Sequence, residues 1–345
     1  MKHLLRALTL AAVAGTALAL TGSAFAAFTT PRLTVNSPTA GSLTIGYSQT
    51  KEDDALNRLQ IYIPTGYSAS TSSAPGATIG AVTAVVQANA ISADAIVPLN
   101  GTIRVDSPTA ATHNEPLDIA CRGGATANAV WVLVLQSPTG PLEVPVYVIA
   151  ASGPETAFAS AKLVLCLPSP YIPQAAGGAA LGAKVINAQM TVAGGLITAP
   201  ASGGVWRGIA TPYTVGAATP NVPGTREIQA IVAPPGTLTA TRVVRGKNVT
   251  VAGRLRRGAT GVNGATVQLL RGTRVLRTAR TSATGAYAMR IRLPKGIYTL
   301  RTRSTVPAQD LGTAGCVTAI SAAPCLGATT SGFRATSPVV RFRIR

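Results

Sequence analysis

The feature that most constrains this chain is what interrupts its apolar residues. Past residue 26 they come in short runs, and Gly, Pro, Asn or Ser cuts nearly every run before a helical face can build. The most alanine-rich stretch, Ala175-Ala176-Gly177-Gly178-Ala179-Ala180, carries a glycine pair, and each glycine costs a helix about 1 kcal/mol relative to alanine. Other segments alternate with period 2. Tyr287, Met289, Ile291 and Leu293 fall on one side of a strand, Arg290 and Arg292 on the other. The expectation is an all-β chain. Strands buried on one face assemble into packed sheets, so tandem β-sandwich domains of immunoglobulin-like kind are predicted.

The N-terminus reads as a cleavable secretory signal over residues 1–26. Lys2, His3 and Arg6 precede an apolar run from Leu8 to Leu20, and Ala24-Phe25-Ala26 forms a small-x-small cleavage site. The run is short for a membrane span, and no later run is long enough for one. A secreted or surface-associated protein of bacterial type is expected, with no transmembrane segment.

Charge is distributed unequally. From Ala27 to Pro235 there are 9 Lys/Arg and 10 Asp/Glu, a net of −1; from Gly236 to Arg345 there are 19 Lys/Arg and a single acid, Asp310, a net of +18. The shift falls at Ala233-Pro234-Pro235-Gly236, which reads as a hinge between a β-rich region (27–235, one large sandwich or two lobes parted at Gly177-Gly178) and a basic module (236–345).

In an oxidising compartment four cysteines imply two disulfides, for which sequence permits three connectivities. Cys121–Cys166 and Cys316–Cys325 are expected, because each pair then stays within one domain. The second would staple a long Gly/Ala/Thr-rich insertion at 306–336, either as decoration or as a pre-organised recognition loop. The spacings do not suit zinc, and only two histidines exist.

Within the basic module, Gly272-Thr273 reads as a hairpin turn between Ala265–Arg271 and Arg274–Thr281. Four stretches carry a resemblance: Gly253-Arg254-Leu255; Gly261-Val262-Asn263-Gly264-Ala265-Thr266-Val267-Gln268-Leu269; Thr281-Ser282-Ala283-Thr284-Gly285-Ala286-Tyr287; and Leu293-Pro294-Lys295-Gly296-Ile297-Tyr298-Thr299-Leu300. Over about 55 residues the module resembles the carboxypeptidase regulatory-like domain family. That resemblance implies a prealbumin-like β-sandwich and an accessory or adhesive role. The sequence departs from the family at Ser282, where an Asp is usual. Related pilin sandwiches form Lys–Asn isopeptide bonds, but here Lys247 meets no Asn in the last strand and no Glu in the module.

The strand pattern turns Arg290, Arg292, Arg301, Arg303, Arg341, Arg343 and Arg345 outward on what should be neighbouring strands, and sets Arg271 opposite Arg274 across the turn. Like charges so placed repel. With almost no acid nearby, solvent ions or an external polyanion must compensate them, and guanidinium suits phosphate and carboxylate groups. The leading expectation is a non-enzymatic protein contacting an anionic envelope or matrix polymer through these nine arginines. No nucleic-acid motif is present. The alternative is a secreted hydrolase or carbohydrate-active protein with a catalytic N-terminal region.

That region offers little chemistry. Its clearest strands are Leu59–Ile63, Ala81–Gln87, Pro116–Cys121, Val130–Gln136, Val144–Ala150, Ala161–Leu167, Ala183–Val192 and Arg226–Val232, with Val130–Leu135 apolar on both faces. Lys51-Glu52-Asp53-Asp54 reads as a solvated turn rather than a calcium loop. His113, Glu115 and Asp118 are close in sequence but stand beside no nucleophile motif. Of the two tryptophans, Trp206 is the candidate for stacking on a sugar. No catalytic residue, metal site or cofactor is assigned.

Overall fold

The computed structural model describes residues 28–36, 41–92, 94–200 and 202–345; the expected signal peptide lies outside the described residues. The N-terminal strands, in chain order, are β1 (Arg32–Asn36), β2 (Leu43–Ser48), β3 (Leu56–Pro64), β4 (Ser68–Ala69), β5 (Thr78–Ala88), β6 (Ile96–Asp106), β7 (Ala129–Ser137), β8 (Gly140–Ala150), β9 (Ala159–Cys166), β10 (Ala183–Val192), β11 (Ile197–Thr198), β12 (Gly204–Pro212) and β13 (Arg226–Val232), with a short helix α1 (Pro116–Cys121) between β6 and β7. The basic module supplies β14 (Gly236–Leu238), β15 (Thr241–Arg245), β16 (Asn248–Arg257), β17 (Thr260–Gly261), β18 (Thr266–Arg271), β19 (Arg274–Arg280), β20 (Ala286–Arg292), β21 (Gly296–Val306), β22 (Gln309–Asp310), β23 (Cys325–Thr330), β24 (Phe333–Thr336) and β25 (Val340–Ile344). The chain is all-β in architecture, as its alternation requires.

One 13-stranded sheet dominates, in the order β1-β2-β10-β5-β6-β7-β8-β9-β3-β12-β13-β23-β22. It bends round on itself: β1, at one end, packs against β13 and β23 near the other, and Thr329 Oγ1 donates to the Leu33 carbonyl at 2.6 Å. Its inner face closes on one core that holds Leu33, Ile63, Ile103, Trp131, Leu163, Trp206 and Ile228. The Gly177-Gly178 break does not part this region into lobes, because β10, beyond it, inserts between β2 and β5.

The two-faced apolarity of β7 has a direct cause. Trp131, Leu133 and Leu135 enter the main core. Val130 and Val132 face the other way, into a smaller cluster with Tyr147, Ile149, Val164 and Cys121. Cys121 ends α1, so Pro116–Cys121 is a helix rather than the expected strand. Proline at the first helical position was the overlooked signal. Leu117 and Ile119 alternate as a strand's residues would, but both are exposed, Leu117 to 84%, so neither gains the one-sided burial that rewards a strand. Disulfides join Cys121 to Cys166 and Cys316 to Cys325. The first fastens α1 to the end of β9 instead of linking two strands.

The basic module is a sandwich of two five-stranded sheets. In one, β16 pairs with β14, β15, β17 and β20; in the other the order is β19-β18-β21-β24, with β25 also on β21. Val249, Val251, Leu255, Leu269, Tyr287, Met289, Leu300, Phe342 and Ile344 meet between them.

The insertion departs most from expectation. It does not decorate the basic module. Instead β23 runs parallel to β13, with Ile228 opposite Gly327 and Ile231 opposite Thr330, and so extends the N-terminal sheet. The stapled loop just before it covers the outer face of β12 and β13. There Glu227, 0% exposed, accepts from Arg207 Nη1 (3.0 Å), Gln229 Nε2 (2.8 Å), the Ile320 amide (3.1 Å) and Ser321 Oγ (3.4 Å). Arg207 also donates to the Thr318 carbonyl at 2.6 Å. Gln229 bonds both the amide and the carbonyl of Val317. Every charge brought under the loop is thereby partnered, which makes such burial tolerable.

Glu227→Ala leaves Arg207 buried without its counter-charge and should cost about 3–5 kcal/mol of unfolding free energy in a denaturant titration. Replacing Cys316 and Cys325 together by serine frees a short loop and should cost about 2–3 kcal/mol in the same titration.

Candidate functional site

The arginines of the basic module are placed by the alternation of their strands. On β25, Val340, Phe342 and Ile344 are buried, so Arg341 and Arg343, with Arg345 beyond, stand in solvent. On β21, Tyr298, Leu300 and Thr302 are buried, leaving Arg301 exposed and Arg303 half-buried. Strand register spreads these charges: Arg341 lies opposite Thr299, Arg343 opposite Ile297, Arg301 opposite Leu270 and Arg303 opposite Gln268. Uncharged partners thus separate the guanidinium groups across the ladder, which limits like-charge repulsion. Arg271 and Arg274 are directly opposed at the hairpin, where Gly272 takes the positive φ of 60° that its turn requires.

Arg290 and Arg292 do not share this face. They lie on β20, opposite Thr250 and Asn248 of β16, in the other sheet. The nine therefore divide between two sheets, seven and two, rather than forming one patch. β19 and β20 touch across the sandwich edge, so the sheets meet there. Exposed Arg277 and Arg280 on β19, also basic, add to the charge of the sheet that holds seven of the nine.

Among the described residues, two of the nine have partners within the chain. Arg303 donates to Gln268 Oε1 at 2.8 Å, and the Arg271 guanidinium lies over the Tyr298 ring, 5.1 Å from its centroid. Among the described residues none of the nine has a carboxylate within 4.0 Å. Asp310, the module's one acid, pairs with Arg32 of β1 at 2.8 Å, and this holds its carboxyl below the usual carboxylate range. The charge of the module is left without internal compensation.

The candidate chemistry of the N-terminal region rearranges. His113 Nε2 pairs with Asp106 Oδ2 at 3.1 Å. Asp118 instead receives the Tyr147 hydroxyl, and Glu115 is exposed at the start of α1. The expected His113/Glu115/Asp118 grouping does not assemble. Asp53 is no solvated turn residue, since both it and Asp54 are buried. Its carboxylate accepts from the amides of Thr29 (2.7 Å), Thr30 (3.2 Å) and Thr50 (3.1 Å), pinning the segment that leads into β1. Trp206, 0% exposed, is in the core with its ring edge-to-face on Tyr67 at 5.2 Å, so it cannot stack on a sugar from solvent.

No protein-family model matches the chain, so the likeness of the basic module to the carboxypeptidase regulatory-like family is not carried further. No curated protein matches it either. Solved structures similar to it include the D0-D1 domain of intimin (9% identity, 90% of this chain and 97% of that one, TM-score 0.18). They also include native alpha-2-macroglobulin from Escherichia coli spanning domains NIE-MG1 (8% identity, 80% and 94%, TM-score 0.16). A third is domains A168-A170 of titin (11% identity, 90% and 96%, TM-score 0.19). At these TM-scores they carry no argument, and the β-sandwich reading rests on the strand pairing itself.

The His113 hydrogen bond, followed by the Ser107 amide, lowers the Asp106 pKa below its usual value. A carboxyl depressed in the fold adds stability above the unfolded pKa and loses it as pH falls through the folded one. Melting temperatures of the native chain and Asp106→Asn should therefore differ above about pH 4 and converge in stronger acid.

Proposed function

We propose that the chain is an exported, non-enzymatic binding protein that attaches to an anionic polymer of the cell envelope or matrix through the basic module. One observation carries this reading: the module holds exposed guanidinium groups that no carboxylate among the described residues compensates. Such a face gathers counter-ions, and a polyanion that displaces them gains their release. Arg301, Arg341, Arg343 and Arg345 lie on β21 and β25 or at the latter's end, with Arg274 across β18 on β19. Spaced by threonine and isoleucine, they suit a repeating anion better than one small acid. The loop stapled by Cys316–Cys325 is occupied in holding the two parts together, so recognition is assigned to the sheet faces and not to that loop.

Binding of the full chain to a soluble sulfated or phosphate-bearing polymer should weaken steeply as salt rises. Arg341→Gln with Arg343→Gln should lower the slope of log affinity against log salt by about one per charge lost, since each contact releases roughly one counter-ion. Affinity that ignores salt, or a slope unchanged in the double variant, would remove the proposal.

A further inference from the structure

The inner face of the large sheet is not filled. Between β2, β3 and β5 through β10 lies a cavity of about 200 Å³, and all its lining residues except Glu143 and Gln189 are apolar or aromatic. Protein cores are otherwise close-packed, and an apolar void forfeits the contacts its walls would make. The gap has a local cause in the sequence. Ala84 of β5 and Ala188 of β10 are direct cross-strand partners. On the same inward rows stand Val82 and Val86 on one strand and Met190 on the other. Alanine is a poor strand former, and any larger side chain at these two positions would enter the space.

The cavity also has a way in. Leu142, Val144, Leu165 and Val185, all part of its lining, are only half-buried. Glu143 and Gln189 are exposed on the outward rows of β8 and β10, between the inward Leu142 and Val144 and the inward Ala188 and Met190. Glu143 is already engaged by Arg104 at 3.2 Å, and the hydroxyl of Tyr47 is taken by Gln49, leaving its ring to the wall. Among the described residues no unpaired charge lines the space. Empty apolar cavities of roughly 150 Å³ stay dry and take up benzene-sized molecules, and this one is too small for a peptide segment.

We infer that this cavity is a binding site for a small neutral hydrocarbon group: a short alkyl chain, with its polar end left at the opening among Leu142, Val144, Leu165 and Val185. Walls drawn from eight strands make it a formed pocket. It is independent of the arginine faces, which belong to the other module.

The test is calorimetry of the full chain with straight-chain primary alcohols from hexanol to decanol. Saturable one-to-one binding is expected, with a negative heat-capacity change. Affinity should rise roughly fourfold per methylene and stop rising once the cavity is full. Ala188→Leu should abolish binding while the native fold persists by circular dichroism. Ala84→Val, a smaller intrusion, should weaken binding at least threefold and shift the plateau to a shorter alcohol; it decides the matter where Ala188→Leu fails to fold. Absence of saturable binding, affinity that climbs without a plateau, or affinity unchanged in the folded variants would overturn the proposal.

Discussion

The structure depends on one buried carboxylate. Glu227 sits on the outer face of β13, and the loop at 317–324 reaches it from a module whose sequence begins nine residues later, at Gly236. Buried without partners, it would cost several kcal/mol. Arg207, Gln229, an amide and a hydroxyl supply them, and two of those come from the loop itself. Burial of the charge and docking of the loop are therefore one event. Once the loop is down, β23 is aligned beside β13, and Ile320 packs with Tyr62 and Ile209 on the same face. An open sheet edge is covered in the process.

This arrangement explains why the proline-rich hinge does not leave two freely linked domains. A segment of the second module completes the sheet of the first, while Arg257 donates to Ser331 at the seam and Asp310 pairs with Arg32. The basic faces are thus displayed from a fixed base. The sheet that carries them is stiffened by Tyr298 stacked on Phe342.

Much of this was legible in the residues, for physical reasons. Period-2 alternation reports one-sided burial, so β20, β21 and β25 and their outward arginines could be read directly. Two-sided apolarity reported the middle position of β7. Where a residue's fate was set by distant chain, the sequence was silent. Glu227 alternates with Ile228 as any exposed acid would, and nothing near it announces a loop about 90 positions away. Trp206 resembled a surface aromatic because Gly204 and Arg207 flank it, yet Arg207 is itself covered by that loop. Pro116–Cys121 alternates like a strand but follows its proline into a helix. The assignment of Arg290 and Arg292 to the second sheet follows from pairing with β16, which alternation does not encode.

The insertion of the basic module is an integral strand of the N-terminal sheet. Native-state hydrogen exchange of the amides at 325–330 tests it most directly. Protection matching that of β12 and β13, lost together with theirs as denaturant is raised, is the predicted result. Exchange as fast as that of an exposed loop, with β13 still protected, would contradict it.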